Sequence, residues 1–203
     1  MSEFDAKARD WDKNILYIER SEAVAKAILQ MVPVQESMTA MEYGSGTALL
    51  SFALQHSFAE ITLMDNSREM TAVTKEKISG QEVQNMKPLF FDLEKESYDG
   101  SFDMIYNQMV MHHVQDISAM LARFHGLLNP GGYIAIADLY AEDGSFHGPG
   151  FDGHLGFDVD MLAGKLAECG FSNIEHKPCY TIRKSDDNGN VTEFPIFLLV
   201  ASR

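Results

Sequence analysis

The chain has 203 residues, 45% of them hydrophobic and 23% charged, enough to bury a core without disulfide or metal staples. Sixteen basic residues against thirty acidic ones give a formal net charge of −14 at pH 7, which argues against nucleic-acid partners and against docking on an anionic membrane. No apolar run approaches the ~18 residues of a membrane span, and the charged start MSEFDAKARDWDK carries no signal-peptide core.

Cys169 and Cys179 cannot form a disulfide framework and read as buried free thiols of a reducing compartment. The expectation is a cytoplasmic chain forming one domain over residues 1–203, with a small molecule or a basic protein as partner. Oligomeric state is not legible.

In chain order, residues 4–14 (FDAKARDWDKN) suit a short helix carrying the only tryptophan, Trp11. Residues 19–32 form an Ala-rich helix starting near Ser21 and stopped by Pro33. Together with Tyr17, residues 1–32 make an N-terminal helical segment, a candidate lid or cap. From residue 39 onward, short apolar runs at 39–44, 60–66, 86–93, 102–108 and 132–138 alternate with helix-like segments at 47–57, 67–79 and 117–128. Near-continuous apolar runs suit strands covered on both faces, and their alternation with helices predicts a doubly wound, mostly parallel sheet over 39–203. Asn66 or Ser67 is placed to cap the second of these helices, with Glu69 answering Asn66 in a capping box. A Gly- and His-rich stretch (141–156) precedes a helix at 157–169. Strand-like runs at 173–184 and 191–202, separated by SDDNGN, predict a closing antiparallel hairpin.

The chemistry begins where the first strand meets Glu42-Tyr43-Gly44-Ser45-Gly46-Thr47-Ala48. Glycines let this turn take left-handed angles and approach a ligand, while the next helix offers free N–H groups. Leu49 stands where a dinucleotide fingerprint has its third glycine, and no GK[ST] follows, which counts against NAD, FAD and a nucleotide-triphosphate loop. A GxG alone is equally served by a tight turn without ligand. Asp65, about twenty residues on, suits the two hydroxyls of a ribose, the bland alternative being an acid favoured by a helix N-terminus. Asp92-Leu93 suits an adenine site: a carboxylate for the exocyclic amine and a side chain for the ring face.

The segments MEYGSGTALL (41–50), LMDNSREM (63–70), FDLEKESYDGSFDMIYNQMVMHHV (91–114) and LLNPGGYIAIADL (127–139) together resemble the class I S-adenosylmethionine-dependent methyltransferases, in particular the type 11/12 domain group. That resemblance implies a Rossmann-like sheet of seven strands, mostly parallel with the last antiparallel, and methyl transfer that releases S-adenosylhomocysteine. It implies a cofactor loop at Gly44, Ser45 and Gly46, organised by Glu42. Asp65 and Asn66 then take the ribose and adenine side, Asp92 and Leu93 the adenine, and Asn107 the methionine end. Met109 and Met111 are expected in the core. Ala48 departs from the family's usual third glycine; with ordinary backbone angles it would only tighten the fit.

For the transfer itself the candidates are His112, His113 and Asp138, with His147 and His154 nearer the substrate. Asp138 equally suits a helix cap. The spacing of His147 and His154 matches no common metal motif, and Asn107 at the end of the fourth strand weakens a divalent-ion site, so no metal is expected. Trp11 and Tyr17 are candidate lid residues. The acceptor expected is a small molecule; a protein or peptide acceptor, or a cofactor-binding protein without transfer of its own, are the alternatives.

Overall fold

A computed structural model of the chain describes residues 3–185 and 189–203. The N-terminal segment forms α1 (Glu3–Lys7), a 3-10 helix (Ala8–Lys13) and α2 (Ile15–Met31). Thereafter come β1 (Thr39–Tyr43), α3 (Leu49–Leu54), β2 (Glu60–Asp65), α4 (Arg68–Gly80), β3 (Met86–Phe90) and β4 (Phe102–Gln108). The chain closes with α5 (Ile117–Leu127), β5 (Leu128–Leu139), α6 (Val159–Glu168), β6 (Ser172–Ser185) and β7 (Val191–Ser202).

The seven strands form one sheet in the order β3-β2-β1-β4-β5-β7-β6. β1 through β5 pair in parallel, and β7 runs antiparallel to both β5 and β6. This is the Rossmann-like arrangement expected, with the last strand inverted. The tip of the β6–β7 hairpin falls in part outside the described residues.

Side chains alternate across the sheet, which accounts for the near-continuous apolar strands. Ala40, Met104, Tyr106 and Ala135 pack under α2 and α3 with Val24, Ile28, Leu50 and Leu54. Met41, Ile105, Ile134 and Ile136 pack under α5 and α6 with Leu121, Phe124, Leu162 and Leu166. Among the described residues no helix is long and apolar enough to cross a membrane.

Helix starts follow local capping chemistry, with three departures from the sequence expectation. α2 begins at Ile15 because Asn14 accepts from Leu16 N–H at 3.1 Å; Ser21 lies inside the helix and bonds back to the Tyr17 carbonyl at 2.8 Å. α4 is capped by Ser67, whose hydroxyl accepts from Met70 N–H at 3.1 Å, so the Asn66–Glu69 box does not form. Ala48 takes φ 63° and ψ 29°, the left-handed region, and not ordinary angles. There it replaces glycine at a conformational cost of about 1–2 kcal/mol, while its methyl is wholly buried between α2 and the sheet. Both cysteines are unpaired and only half-buried; burial still pushes the Cys179 thiol up to about 12.

Candidate active site

Strand order reverses between β1 and β4, and ligands of open α/β sheets bind outside the carboxyl ends of the strands at such a switch point. A cavity of about 590 Å³ lies at this rim. Its floor is the turn after β1. Gly44 N–H and Ser45 N–H donate to the Met64 carbonyl at 2.8 and 3.1 Å, and Gly46 N–H donates to Asp65 Oδ2 at 2.7 Å. Gly44 (φ +67°) is pressed against Val110, at 3.1 Å from a Cβ position to Val110 Cβ and Cγ1 and far closer to Cγ2.

Two acids face this loop. Glu42 is buried on β1, accepts from the Ser51 hydroxyl, and Ser51 in turn meets the Tyr106 hydroxyl at 2.7 Å. Burial pushes its carboxyl up to about 8, although the Ser51 hydrogen bond pulls the other way. Asp65 ends β2; its Oδ1 accepts from Ser67 N–H at 2.7 Å. Burial raises its pKa also, against the two backbone hydrogen bonds.

The adenine-side candidates sit on a loop clamped from α5. Arg123 donates to the carbonyls of Leu93 at 2.6 Å, Glu96 at 2.9 Å and Glu94 at 3.2 Å. Asp92 is held by Glu94 N–H and pairs with Lys95 at 2.7 Å.

The N-terminal segment is bolted over the loop by polar contacts. Asp12 accepts from Thr47 Oγ1 at 2.5 Å and pairs with Lys77 at 2.6 Å; Asp5 accepts from the Ser67 hydroxyl at 2.6 Å. Trp11 packs on Tyr17 and against Phe4, with ring centres 4.7 and 6.3 Å apart, so it both pins the segment and walls the cavity.

The opposite wall is made of imidazoles. Gln108 at the end of β4 pairs in register with Ala137 of β5, which sets the 3-10 turn Met111–His113 beside Asp138. His112 Nδ1 lies 2.6 Å from Asp138 Oδ1, and Asp138 also accepts from the backbone N–H of His112 at 3.2 Å and of Leu139 at 2.7 Å. A carboxylate only accepts, so Nδ1 carries the hydrogen of this bond. His147 stacks on Phe151 at 3.8 Å between ring centres, and its Nδ1 is buried without a hydrogen-bond partner. Burial, then the neighbouring His112, lowers its pKa to about 4. The ligand nitrogens of His112, His113 and His147 all lie within 4.8 Å of one another. Spacing along the chain gave no sign of this cluster.

The fold therefore brings together around one cavity Glu42, Gly44, Ser45, Gly46, Asp65, Asn66, Asp92, Leu93, Trp11, Tyr17, His112, His113 and His147. Three candidates are not among its walls. Asn107 is fully buried, both its amide atoms without a partner among the described residues, while the next residue, Gln108, reaches the cavity. Asp138 is fully buried behind His112, and bonds that imidazole instead of capping a helix. His154 turns its Nε2 to the Val114 carbonyl at 3.0 Å, a bond that closes the 141–157 stretch onto the sheet. Met111 is core as expected; Met109 also lines the cavity, with φ +57°.

Arg20 and Lys184 were missed. Arg20 is 7% exposed, lines the cavity over the Tyr17 ring, and makes no salt bridge among the described residues; its Nε has no partner. Desolvation lowers its pKa, partly offset by Tyr17, Asp138 and Tyr180. The signal was present: Arg20 falls four and eight residues before Val24 and Ile28, on the buried stripe of α2.

Residues 41–136 match the family described as "Methyltransferase domain". An uncharacterized methyltransferase of Schizosaccharomyces pombe is 25% identical over 158 residues, covering 70% of this chain and 56% of that protein. Trans-aconitate 2-methyltransferase of Deinococcus radiodurans is 28% identical over 116 residues, 56% of this chain and 43% of that one. The chain thus spans about half the length of these relatives. A chain from the complex of the Haloferax volcanii Trm112 methyltransferase activator superposes with a TM-score of 0.74 at 18% identity, over 100% of this chain and 98% of that one. Over residues 41–136 the chain thus carries a methyltransferase-domain match, and its fold is shared with structures named as putative methyltransferases.

Proposed function

We propose that this chain binds S-adenosylmethionine across the β1–α3 turn and passes its methyl group to a small acceptor carrying an anionic group. The observation that carries the reading is that one cavity is lined both by the acids Glu42, Asp65 and Asp92 and by Arg20, His112 and His147. The acids suit the cofactor. Glu42 accepts from its ammonium, Asp65 from the ribose hydroxyls, and Leu93 packs on the adenine.

Arg20 and the histidines suit the acceptor. A buried guanidinium without a carboxylate partner is costly unless a ligand supplies the anion, and Arg20 has no such partner among the described residues. Trans-aconitate, named for one relative, is an anion of this kind. The chain's strong negative charge disfavours a nucleic-acid acceptor.

In the transfer, the acceptor lone pair forms a bond to the methyl carbon as the carbon–sulfur bond breaks, and that electron pair stays on sulfur as the neutral thioether. Holding nucleophile and methyl in line is worth on the order of 7–11 kcal/mol. The lid and the imidazole wall do this by enclosing the acceptor. An acceptor hydroxyl or thiol also has to lose its proton, and His112 and His113 are the groups on its side. Asp138 is a positioning residue, fixing the tautomer of His112 from behind.

The test is formation of S-adenosylhomocysteine with a panel of small carboxylates, phosphates and neutral isosteres. Anionic acceptors should be methylated, and Arg20→Ala should raise their KM at least tenfold with cofactor affinity unchanged. Turnover of neutral acceptors alone, or an Arg20→Ala variant that loses cofactor affinity instead, overturns the assignment.

A further inference from the structure

We propose that His112, His113 and His147 hold a divalent transition-metal ion at the acceptor end of the cavity. The proposal deepens the reading of that end as the acceptor site, and its test does not depend on methyl transfer.

Three imidazoles on one ion, each nitrogen about 2.1 Å from it, set their ring centres about 5 Å apart. Here the ring centres are 4.2 Å apart for His112 and His113, 4.9 Å for His112 and His147, and 5.7 Å for His113 and His147. The rings are mutually inclined by 44°, 47° and 76°, so they are not a parallel stack. Nitrogens now within 4.8 Å need to draw in by about 1–1.5 Å to reach tetrahedral spacing. His147 is carried on a loop between Gly144 and Gly148, both at positive φ.

The surroundings match a ligand set. Histidine ligands almost always donate their second nitrogen to a carboxylate or carbonyl, which fixes the ring and raises its basicity. Asp138, wholly buried, accepts from His112 Nδ1 at 2.6 Å and so aims the other nitrogen outward. Among the described residues His147 Nδ1 is a buried polar atom with no partner, a cost that an ion bound to it would remove. Glu142 shapes the turn that presents it, accepting from Gly144 N–H at 2.8 Å and Phe146 N–H at 3.0 Å.

An all-imidazole set without carboxylate oxygen selects zinc, iron, cobalt, nickel or copper over magnesium and calcium. Three protein ligands leave a fourth position, and all three histidines line the cavity. With an ion bound, His112 and His113 would serve as its ligands in place of taking the acceptor proton, and an acceptor oxygen or sulfur at the fourth position would lose its proton more readily, as metal-bound water does. Arg20 would hold the acceptor's anionic group beside it.

The experiment uses the full chain, freed of metal with a chelator and titrated with Co²⁺ and with Zn²⁺. One equivalent should bind, with Co²⁺ giving the visible absorption of a four- or five-coordinate nitrogen site. His147→Ala, at a half-buried loop position, should weaken binding at least tenfold, and Asp138→Asn about 10–100-fold. His176→Ala, whose imidazole pairs with Asp160 elsewhere, should leave it unchanged. Circular dichroism of each variant establishes that it is folded. Absence of stoichiometric binding to the wild type, or equal binding by wild type and folded His147→Ala, overturns the proposal. A chain that binds the metal but methylates no anionic acceptor overturns the preceding reading alone.

Discussion

Gly44→Ala tests the geometry of the cofactor loop. An L-residue at φ +67° costs about 1–2 kcal/mol. The new Cβ also overlaps Val110 Cγ2, a short branched side chain rooted just beyond β4, and overpacking of this kind costs about 1–3 kcal/mol. Lower entropy of the unfolded alanine chain returns about 0.4–1 kcal/mol. The net expectation is a loss of about 1–5 kcal/mol, of which the overlap accounts for about 1–3.

Gly46→Ala provides the comparison. It has φ +52° and nothing nearer its Cβ position than Met70 Sδ at 3.9 Å, so only the conformational part applies, about 1 kcal/mol or less. Urea unfolding of both variants at 25 °C, without cofactor, measures the difference. Adding Val110→Ala to Gly44→Ala should recover the overlap part. Equal destabilisation of the two glycine variants, or no recovery in the double variant, would refute the reasoning.

Two further outcomes follow from the same site. Glu42 has its pKa raised to about 8 from 4.5, so the native chain keeps a proton that the unfolded chain has lost between those values. Its contribution to stability is full below about pH 4.5, declines as pH rises to about 8, and is flat above; a shift of this size is worth on the order of a few kcal/mol. Glu42→Gln should flatten that decline in urea midpoints taken at pH 5, 6.5 and 8, and an unchanged slope would contradict the burial argument. Arg123→Ala releases three carbonyls of the 93–96 loop. It should weaken cofactor binding about tenfold with the fold retained, as read by calorimetric titration, and unchanged affinity would show that the clamp does not shape the site.

What the sequence disclosed, and what it hid, divides by range of interaction. The apolar runs of β1, β2 and β4 and the glycines at 44 and 46 are local signals, and they place the sheet and the turn after β1 within a residue or two. Caps were less legible: Asn14, Ser21, Asn66 and Ser67 are all competent, and backbone geometry chooses among them. The left-handed Ala48 was hidden because a buried methyl compensates for a conformation that glycine normally takes.

The acceptor end depends on strand order. His112 comes from the turn after β4, Asp138 from β5 and His147 from the stretch beyond it, and the parallel pairing of β4 with β5, with the 141–157 stretch tied back by His154, brings them together. No spacing along the chain encodes that. Asn107 and Asp138 were placed one layer too far out, since strand ends carry both rim and core side chains.

Asp65 and the turn after β1 are where the proposed cofactor would bind. Calorimetric titration with S-adenosylhomocysteine should show saturable one-to-one binding that Asp65→Ala weakens by about 1–3 kcal/mol, the scale of a charge-assisted hydrogen bond. No saturable binding, or an Asp65→Ala affinity equal to that of the wild type, would contradict it.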